Sequence, residues 1–344
     1  MKLLVSAIEP SSNVHLKELL KHMEGVELLG VYDASLSESK PLYDISQMAI
    51  MGVVDAIKKI RWFYKVADEL VEEAKDADKI LLMDGSGFNL PLAKKLKKAY
   101  PNKEIIYYIL PQVWASRAYR VKKLEKYCDK LLGILPFEID YYTKATYVGH
   151  PLLDEIEYSF TNQKGIISFM PGSRKGEITR LMPIFRELRA KLSDKKAVLI
   201  VPKSFSQEKI QQWYGDIDGF EISCEAHKSL SESEFAFICS GTATLEAALI
   251  GTPFTLAYIA KKIDFFIGTK IFGIKQIGLV NIFLSHYNGT LLHNELLQEN
   301  VTVDNLLNEY YNTNQEDFSK KAKELREYLA NGSSKNVAKI IKDV

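Results

Sequence analysis

The chain of 344 residues has only three cysteines, Cys128, Cys224 and Cys239, scattered singly with no CxxC spacing. That excludes a disulfide framework and fits a reducing compartment. Its six histidines show neither HxxxH nor HExxH spacing, so no metal centre is indicated. No G-x-x-x-x-G-K-[ST] loop is present, which excludes a P-loop ATPase, and no G-x-G-x-x-G with a following ribose acid supports NAD binding. No G-x-S-x-G elbow points to a serine hydrolase. Charge of one sign is also missing, with 45 Lys and Arg against 44 Asp and Glu, so the surface as a whole does not grip nucleic acid or lipid. No long apolar run spans a bilayer. The longest charge-free stretch, Gln276 to Asn294, is interrupted by Asn281, His286, Asn288 and His293. The start, Met1 to Ala7, is cut short by Glu9 and reads as a buried strand rather than a signal peptide.

What is present is alternation. Apolar runs at Leu3–Ile8, Leu28–Tyr32, Lys79–Met83, Ile105–Leu110 and Lys130–Ile134 read as strands. Helical patterns lie between them, at Val14–Met23, Asp55–Lys75, Pro91–Ala99 and Ala118–Lys126. After a short strand at Thr146–Val148 and a loop-forming Gly149-His150-Pro151, the pattern restarts. Strands at Gly165–Met170, Ala197–Val201, Phe220–Ser223, Phe235–Cys239 and Pro253–Ala257 then alternate with helices. Those helices fall at about Glu177–Leu192, Ser206–Tyr214, Thr244–Ile250 and Ile263–Phe272. This predicts an α/β protein with two parallel-sheet domains in tandem and a Lys/Glu-rich tail of one or two exposed helices. Ligands are expected beyond the carboxyl ends of the strands, in a cleft between the domains.

Four strand ends carry polar chemistry. Pro171-Gly172-Ser173-Arg174 leads from a strand into a helix. Free N–H groups, the positive end of a helix dipole and a guanidinium fork suit a phosphate there, although an ordinary turn with a surface arginine has the same layout. Ser240-Gly241-Thr242-Ala243-Thr244-Leu245-Glu246 repeats the arrangement. Its hydroxyls can meet phosphate and Glu246 can hold ribose hydroxyls, or the same residues can form a capping box. Together the two turns describe a nucleotide-diphosphate pocket. In the first half, Asp84 follows a strand of aliphatics and is a candidate general base, or a turn-forming Asp. Glu9 is a similar candidate, with Asn13 better suited to capping the next helix.

The segment Met48-Ala49-Ile50-Met51-Gly52-Val53-Val54-Asp55-Ala56-Ile57 is apolar nearly all round, then turns basic and aromatic at Lys58, Lys59, Arg61, Trp62 and Phe63. That suits a membrane interface or acyl-chain groove, or equally a buried core helix. Residues 85–135 hold eleven Lys and Arg against three acids, a local excess that suggests an anionic surface such as phospholipid. No nucleic-acid motif accompanies it.

Set in order, these stretches resemble the lipid-A-disaccharide synthase family. The resemblance rests on Met48–Val54, Asp84 with Phe88-Asn89, Pro111-Gln112-Val113-Trp114-Ala115, Arg117, Arg120 and Leu135-Pro136-Phe137-Glu138. It continues through Gly149-His150-Pro151, the two turns above, Asn281 and Glu295-Leu296-Leu297-Gln298-Glu299, covering nearly the whole chain. The first loop, Ile8-Glu9-Pro10-Ser11-Ser12-Asn13, keeps the family's Glu and Ser but not its two glycines or Asp. The resemblance implies a GT-B architecture, two Rossmann-like domains facing across a cleft. Residues 1–149 would face acceptor and membrane, 150–325 would bind the UDP-sugar, and 326–344 would form a helix packing back on the first domain. It implies inverting, metal-independent and cofactor-free transfer from UDP-2,3-diacylglucosamine to 2,3-diacylglucosamine 1-phosphate (lipid X), giving a β-1,6 disaccharide 1-phosphate and UDP. Asp84 and Arg174 would be catalytic. Glu9, Ser11, Asn89, Arg117, Ser173, Ser240, Gly241, Thr242, Thr244, Glu246, Asn281 and Glu295 would bind substrate. Met48, Ile50, Met51, Val53, Val54, Ile57, Lys58, Lys59, Arg61, Trp62 and Phe63 would meet acyl chains or an anionic membrane surface. The implied setting is cytoplasmic, on the inner membrane of a Gram-negative bacterium. The rivals are another UDP-sugar enzyme of the same architecture, an epimerase or soluble-acceptor transferase, and a non-catalytic nucleotide-sugar or lipid-binding protein.

Overall fold

The computed structural model describes residues 1–51, 56–114, 117–161, 165–260, 276–330 and 332–343, with backbone alone at 49–51 and 56–59. Two compact units divide the chain: Met1–Glu155 with Leu329–Val344, and Ile156–Tyr328. The Gly149-His150-Pro151 turn therefore lies inside the first unit. There His150 is buried and its N–H donates to the Leu329 carbonyl at 3.2 Å.

The first unit holds a seven-stranded parallel sheet. Its strands are β1 (Lys2–Ser6), β2 (Glu27–Tyr32), β3 (Tyr43–Asp44), β4 (Lys79–Met83), β5 (Ile105–Tyr108), β6 (Lys130–Gly133) and β7 (Ala145–Tyr147). They stand in the order 3-2-1-4-5-6-7. The second unit's sheet has six parallel strands. These are β8 (Ile166–Met170), β9 (Lys196–Ile200), β10 (Phe220–Ser223), β11 (Phe235–Cys239), β12 (Phe254–Tyr258) and β13 (Glu295–Leu297), in the order 10-9-8-11-12-13. Both are doubly wound in the Rossmann order, with the direction of winding reversing beside β1 and β8. The two-residue β3 and three-residue β13 escaped the sequence reading because neither carries an apolar run.

Strands buried on both faces explain the near-continuous aliphatic runs. Along β1, Leu3 and Val5 pack on one side of the sheet and Leu4 on the other, and β4 and β5 split the same way. The helix Ser333–Lys342 seals one side, with Val337, Ala338 and Ile341 buried in the cluster that takes Leu16 and Leu19 from the helix Pro10–Leu20. Composition alone suggested an exposed tail, whereas the resemblance implied a helix packing back on the first domain. Three apolar residues at helical spacing instead bury a stripe, at roughly 1.5–3 kcal/mol for each branched side chain. In the second unit Phe169 is the hub, with Phe185, Phe220 and Phe237 rings 5.2–5.4 Å away. The expected helix at Ile263–Phe272 lies outside the described residues.

Candidate active site

In the first unit β4 ends at Met83 and the chain makes two consecutive left-handed residues, Asp84 (φ 49°) and Gly85 (φ 48°), before the helix Ser86–Ala99. A non-glycine residue there costs about 1 kcal/mol, so the loop must be held. Tyr107 Oη donates to the Asp84 carbonyl at 2.5 Å, and Asn89 Nδ2 donates to the carbonyls of Met83 and Asp84 at 3.0 Å each. Asn89 Nδ2 also reaches the Ser6 carbonyl at 3.3 Å, while its Oδ1 accepts from Ser6 Oγ at 2.6 Å. Asn89 thus ties the carboxyl ends of β1 and β4 together beneath Asp84. Asn89 is fully buried, with its amide engaged inside the protein, so here it positions the Asp84 loop.

The Asp84 carboxyl faces a cavity of about 760 Å³ that also takes Glu9, Phe63, Phe88, Arg117 and Arg120 in its walls. Burial pushes Asp84 above the ordinary carboxylate value of 3.8, against the Gly85 N–H and the charge of His15. Loss of surrounding water and then the Asp84 charge push Glu9 up as well. Glu9 stands at the N-cap position of the helix Pro10–Leu20 without a side-chain capping bond, and Pro10 opens the helix's first turn. Asn13 is therefore inside the helix rather than at its cap. Its Nδ2 donates to the carbonyls of Ala7 and Glu9, and its Oδ1 accepts from the Asp33 N–H. Ser11 is exposed.

The apolar-basic segment is placed in part. Met48 is a core residue rather than an acyl contact, buried with Leu70 and Leu92. Trp62 packs edge-on against Tyr43 and Phe63, and Phe63 reaches the cavity beside Phe88. On the helix Ala56–Glu73, Ile60 and Tyr64 are more than half exposed, one turn apart, with Arg61 exposed beside them. The side chains of Ile50, Met51, Val53, Val54, Ile57, Lys58 and Lys59 lie outside those described. Part of the basic excess at 85–135 is paired within the unit. Lys97 pairs with Asp129, Lys130 with Glu104, and Lys103 donates to three carbonyls.

In the second unit the turns after β8 and β11 line one cavity of about 770 Å³. These are the adjacent central strands where the winding reverses, the place a doubly wound sheet offers a ligand. Gly172 (φ 101°) admits only glycine. A Cβ there would lie 2.5 Å from Glu177 Oε2 and 3.2 Å from Cys239 Sγ. Glu177, buried, accepts from the Arg174 N–H at 3.2 Å and from its Nη1 at 2.8 Å, so it latches the start of the helix Lys175–Lys191. The Arg174 guanidinium stays 81 % exposed, its charge reinforced by Glu177. Ser173 is exposed next to it.

After β11, Gly241 and Thr242 are exposed and no side chain caps the helix Thr242–Ile250, whose first two residues, Thr242 and Ala243, line the cavity. Glu246 does not reach back as a capping residue. It stands 3.2 Å from His227 Nε2. Three further expected contacts have their polar atoms engaged within the protein. Thr244 is buried and donates to the Gly241 carbonyl at 2.8 Å, shaping the turn from within. Asn281 is 1 % exposed and braces Leu292 and His293. Glu295 accepts from the Ile277 and Gly278 N–H groups and from Asn281 Nδ2, holding the cavity wall at Ile277. Ser240 Oγ donates to that same Ile277 carbonyl at 3.3 Å. The sequence reading missed Lys203, Glu225 and His227, which follow β9 and β10 and line the cavity, with Lys203 and Glu225 paired at 2.7 Å. The rule that ligands lie beyond strand carboxyl ends was enough to find them, had it been applied past β8 and β11.

Two Rossmann-type units, each with a cavity at its strand carboxyl ends, define the GT-B class of glycosyltransferase fold. A UDP-GlcNAc 2-epimerase from Neisseria meningitidis bound to UDP-GlcNAc shares this fold, with TM-score 0.61 at 14 % identity over 99 % of each chain. Residues 3–342 match the lipid-A-disaccharide synthetase family. The chain is 50 % identical to a lipid-A-disaccharide synthase of Helicobacter pylori (strain Shi470), covering 98 % of this chain and 96 % of that one. It is 46 % identical to that of Campylobacter jejuni (strain RM1221) over 99 % of both. The chain belongs to the lipid-A-disaccharide synthase family, and is a glycosyltransferase of lipid A synthesis. Among the described residues no helix is long and apolar enough to cross a membrane.

Proposed function

We propose that the enzyme transfers 2,3-diacylglucosamine from its UDP ester to the 6-hydroxyl of lipid X, with inversion and without a metal. The observation that carries the reading is Asp84. It is the carboxylate held at the end of β4, raised in pKa by burial, in a cavity with one apolar wall. The Asp84 carboxylate takes the proton of the acceptor hydroxyl, whose oxygen attacks the anomeric carbon as the bond to the UDP oxygen breaks. The electron pair leaves with UDP. Its developing charge meets Arg174 and the open N–H groups of the Thr242–Ile250 helix, which supply positive potential in place of a cation. Ser173, Gly241 and Thr242 approach the diphosphate and Glu246 the ribose. Ile60, Arg61, Tyr64 and Phe63 rest at the interface of an anionic inner membrane on the cytoplasmic side, from which the acyl chains enter the cavity.

The test is transfer to lipid X with UDP release, product linkage by NMR, and excess chelator present. A β-1,6 product formed at undiminished rate is expected, with Asp84→Ala and Arg174→Ala folded but losing most turnover. Near-wild-type turnover by Asp84→Ala would falsify the assignment of the base, and an α-linked product the inversion. Co-sedimentation with anionic vesicles that weakens with salt is expected, and binding to neutral vesicles alone contradicts the membrane docking.

A further inference from the structure

The cavity of the first unit contains two cations that proton abstraction leaves unused. Arg117 is exposed and Arg120 half-buried, and both line it. Lys95, also in the wall, is already held by Asp68 at 2.5 Å. Neither arginine has a carboxylate within ion-pair distance among the described residues. Arg120 Nη1 instead donates to Ser86 Oγ at 2.8 Å, two residues beyond Asp84, so its fork is anchored to the loop that carries the base. Arg117 adopts a left-handed φ of 61°. Asp84 and Arg117 are two of the five non-glycine residues with positive φ among those described, and they share this one cavity. Strain at a non-glycine residue persists only where the surroundings enforce it.

The cavity carries both signs of charge. Asp84 and Glu9 are its acids, Arg117 and Arg120 its cations without a carboxylate partner, and Phe63 and Phe88 contribute apolar surface. We infer that Arg117 and Arg120 bind a phosphomonoester on the acceptor and thereby decide which of its hydroxyls attacks. The inference rests on the acceptor reading proposed above and adds how the sugar is oriented. A phosphate dianion is repelled by the two carboxylates and matched by guanidinium forks. The sugar is therefore held by its phosphate at the arginines, and the hydroxyl at the far side of the ring is delivered to Asp84. An acceptor without phosphate has no such handle, so it enters in more than one orientation.

The experiment compares 2,3-diacylglucosamine 1-phosphate with its phosphate-free counterpart as acceptors, at saturating donor, for wild type, Arg117→Ala, Arg120→Ala and Arg120→Gln. The glutamine variant keeps a donor for Ser86 and guards against a folding loss. Wild type is expected to prefer the phosphorylated acceptor. Each variant should lose roughly 10- to 100-fold in kcat/KM on that acceptor, as expected for a charged hydrogen bond, and far less on the phosphate-free one. The preference then collapses while the donor KM stays put. Equal losses on both acceptors overturn the inference, because the arginines would then be structural. A raised donor KM with the acceptor preference intact overturns it too, assigning them to the UDP diphosphate. Wild-type transfer that ignores the phosphate sinks this inference alone, whereas no transfer to the phosphorylated acceptor at all sinks the reading beneath it as well.

Discussion

Replacing Asn89 tests whether the Asp84 loop is held from below. Its side chain makes four contacts: three from Nδ2 to the carbonyls of Ser6, Met83 and Asp84, and one accepted from Ser6 Oγ. In Asn89→Ala the Asp84 carbonyl keeps Tyr107, but the Met83 carbonyl and the Ser6 hydroxyl lose their partner in a site water does not reach. At about 1–3 kcal/mol for each buried polar group left unmet, the loss is about 2–6 kcal/mol. For a unit of this size that is a fall in Tm of roughly 4–24 °C. Asn89→Asp is the sharper probe. It has the same shape, but it sets an oxygen against three carbonyl oxygens. At neutral pH it should cost at least as much as alanine, and it should recover as the pH falls and the new carboxyl gains a proton to donate. Thermal and urea melts at pH 5 and pH 8 read both effects, and turnover should fall with them because Asp84 loses its left-handed perch. An Asn89→Asp protein as stable as wild type at pH 8 would refute the orientation of the amide, and with it the role given to Asn89.

Three further outcomes follow from particular contacts. Gly172→Ala, whose Cβ would press on Glu177, should break the latch on Arg174 and weaken UDP-sugar binding by about tenfold or more, at a stability cost of roughly 1–3 kcal/mol; calorimetric titration with UDP and a melt check this. Burial raises Glu138 to about 7 although it accepts from the N–H groups of Ile134 and Leu135. The native state therefore binds the extra proton between pH 4.5 and 7, and stability falls as the pH rises through that window. Glu138→Gln keeps the acceptor and should match wild type near pH 4.5 yet melt higher at pH 8, and an unchanged difference across pH contradicts this. For Asp84, the raised pKa places the acid limb of kcat/KM above the ordinary carboxylate value of 3.8, and a limb at or below 3.8 removes the case for a desolvated base.

Much of this protein was legible in one dimension. Runs such as Lys79–Met83 and Phe235–Cys239 are strands over the very residues expected, because a parallel strand buried on both faces must be aliphatic throughout. The turns at Gly172 and Gly241 and the acid at Asp84 were visible because each follows such a run. Roles were less legible than positions. Asn89, Thr244 and Asn281 carry side chains fit to bind a sugar, and a sequence does not say whether an amide faces a cavity or three carbonyls. Burial decides that, and burial belongs to the packed sheet and helix together. The final helix shows the same limit, since Val337, Ala338 and Ile341 found a partner face more than 300 residues back in the chain. The sequence by itself thus determined two parallel sheets wrapped by helices and the chemistry available at their strand ends. Only the tertiary structure decided which strand ends stand side by side, β1 with β4 and β8 with β11. Strand order is set by crossover connections and long-range pairing, which local pattern does not encode.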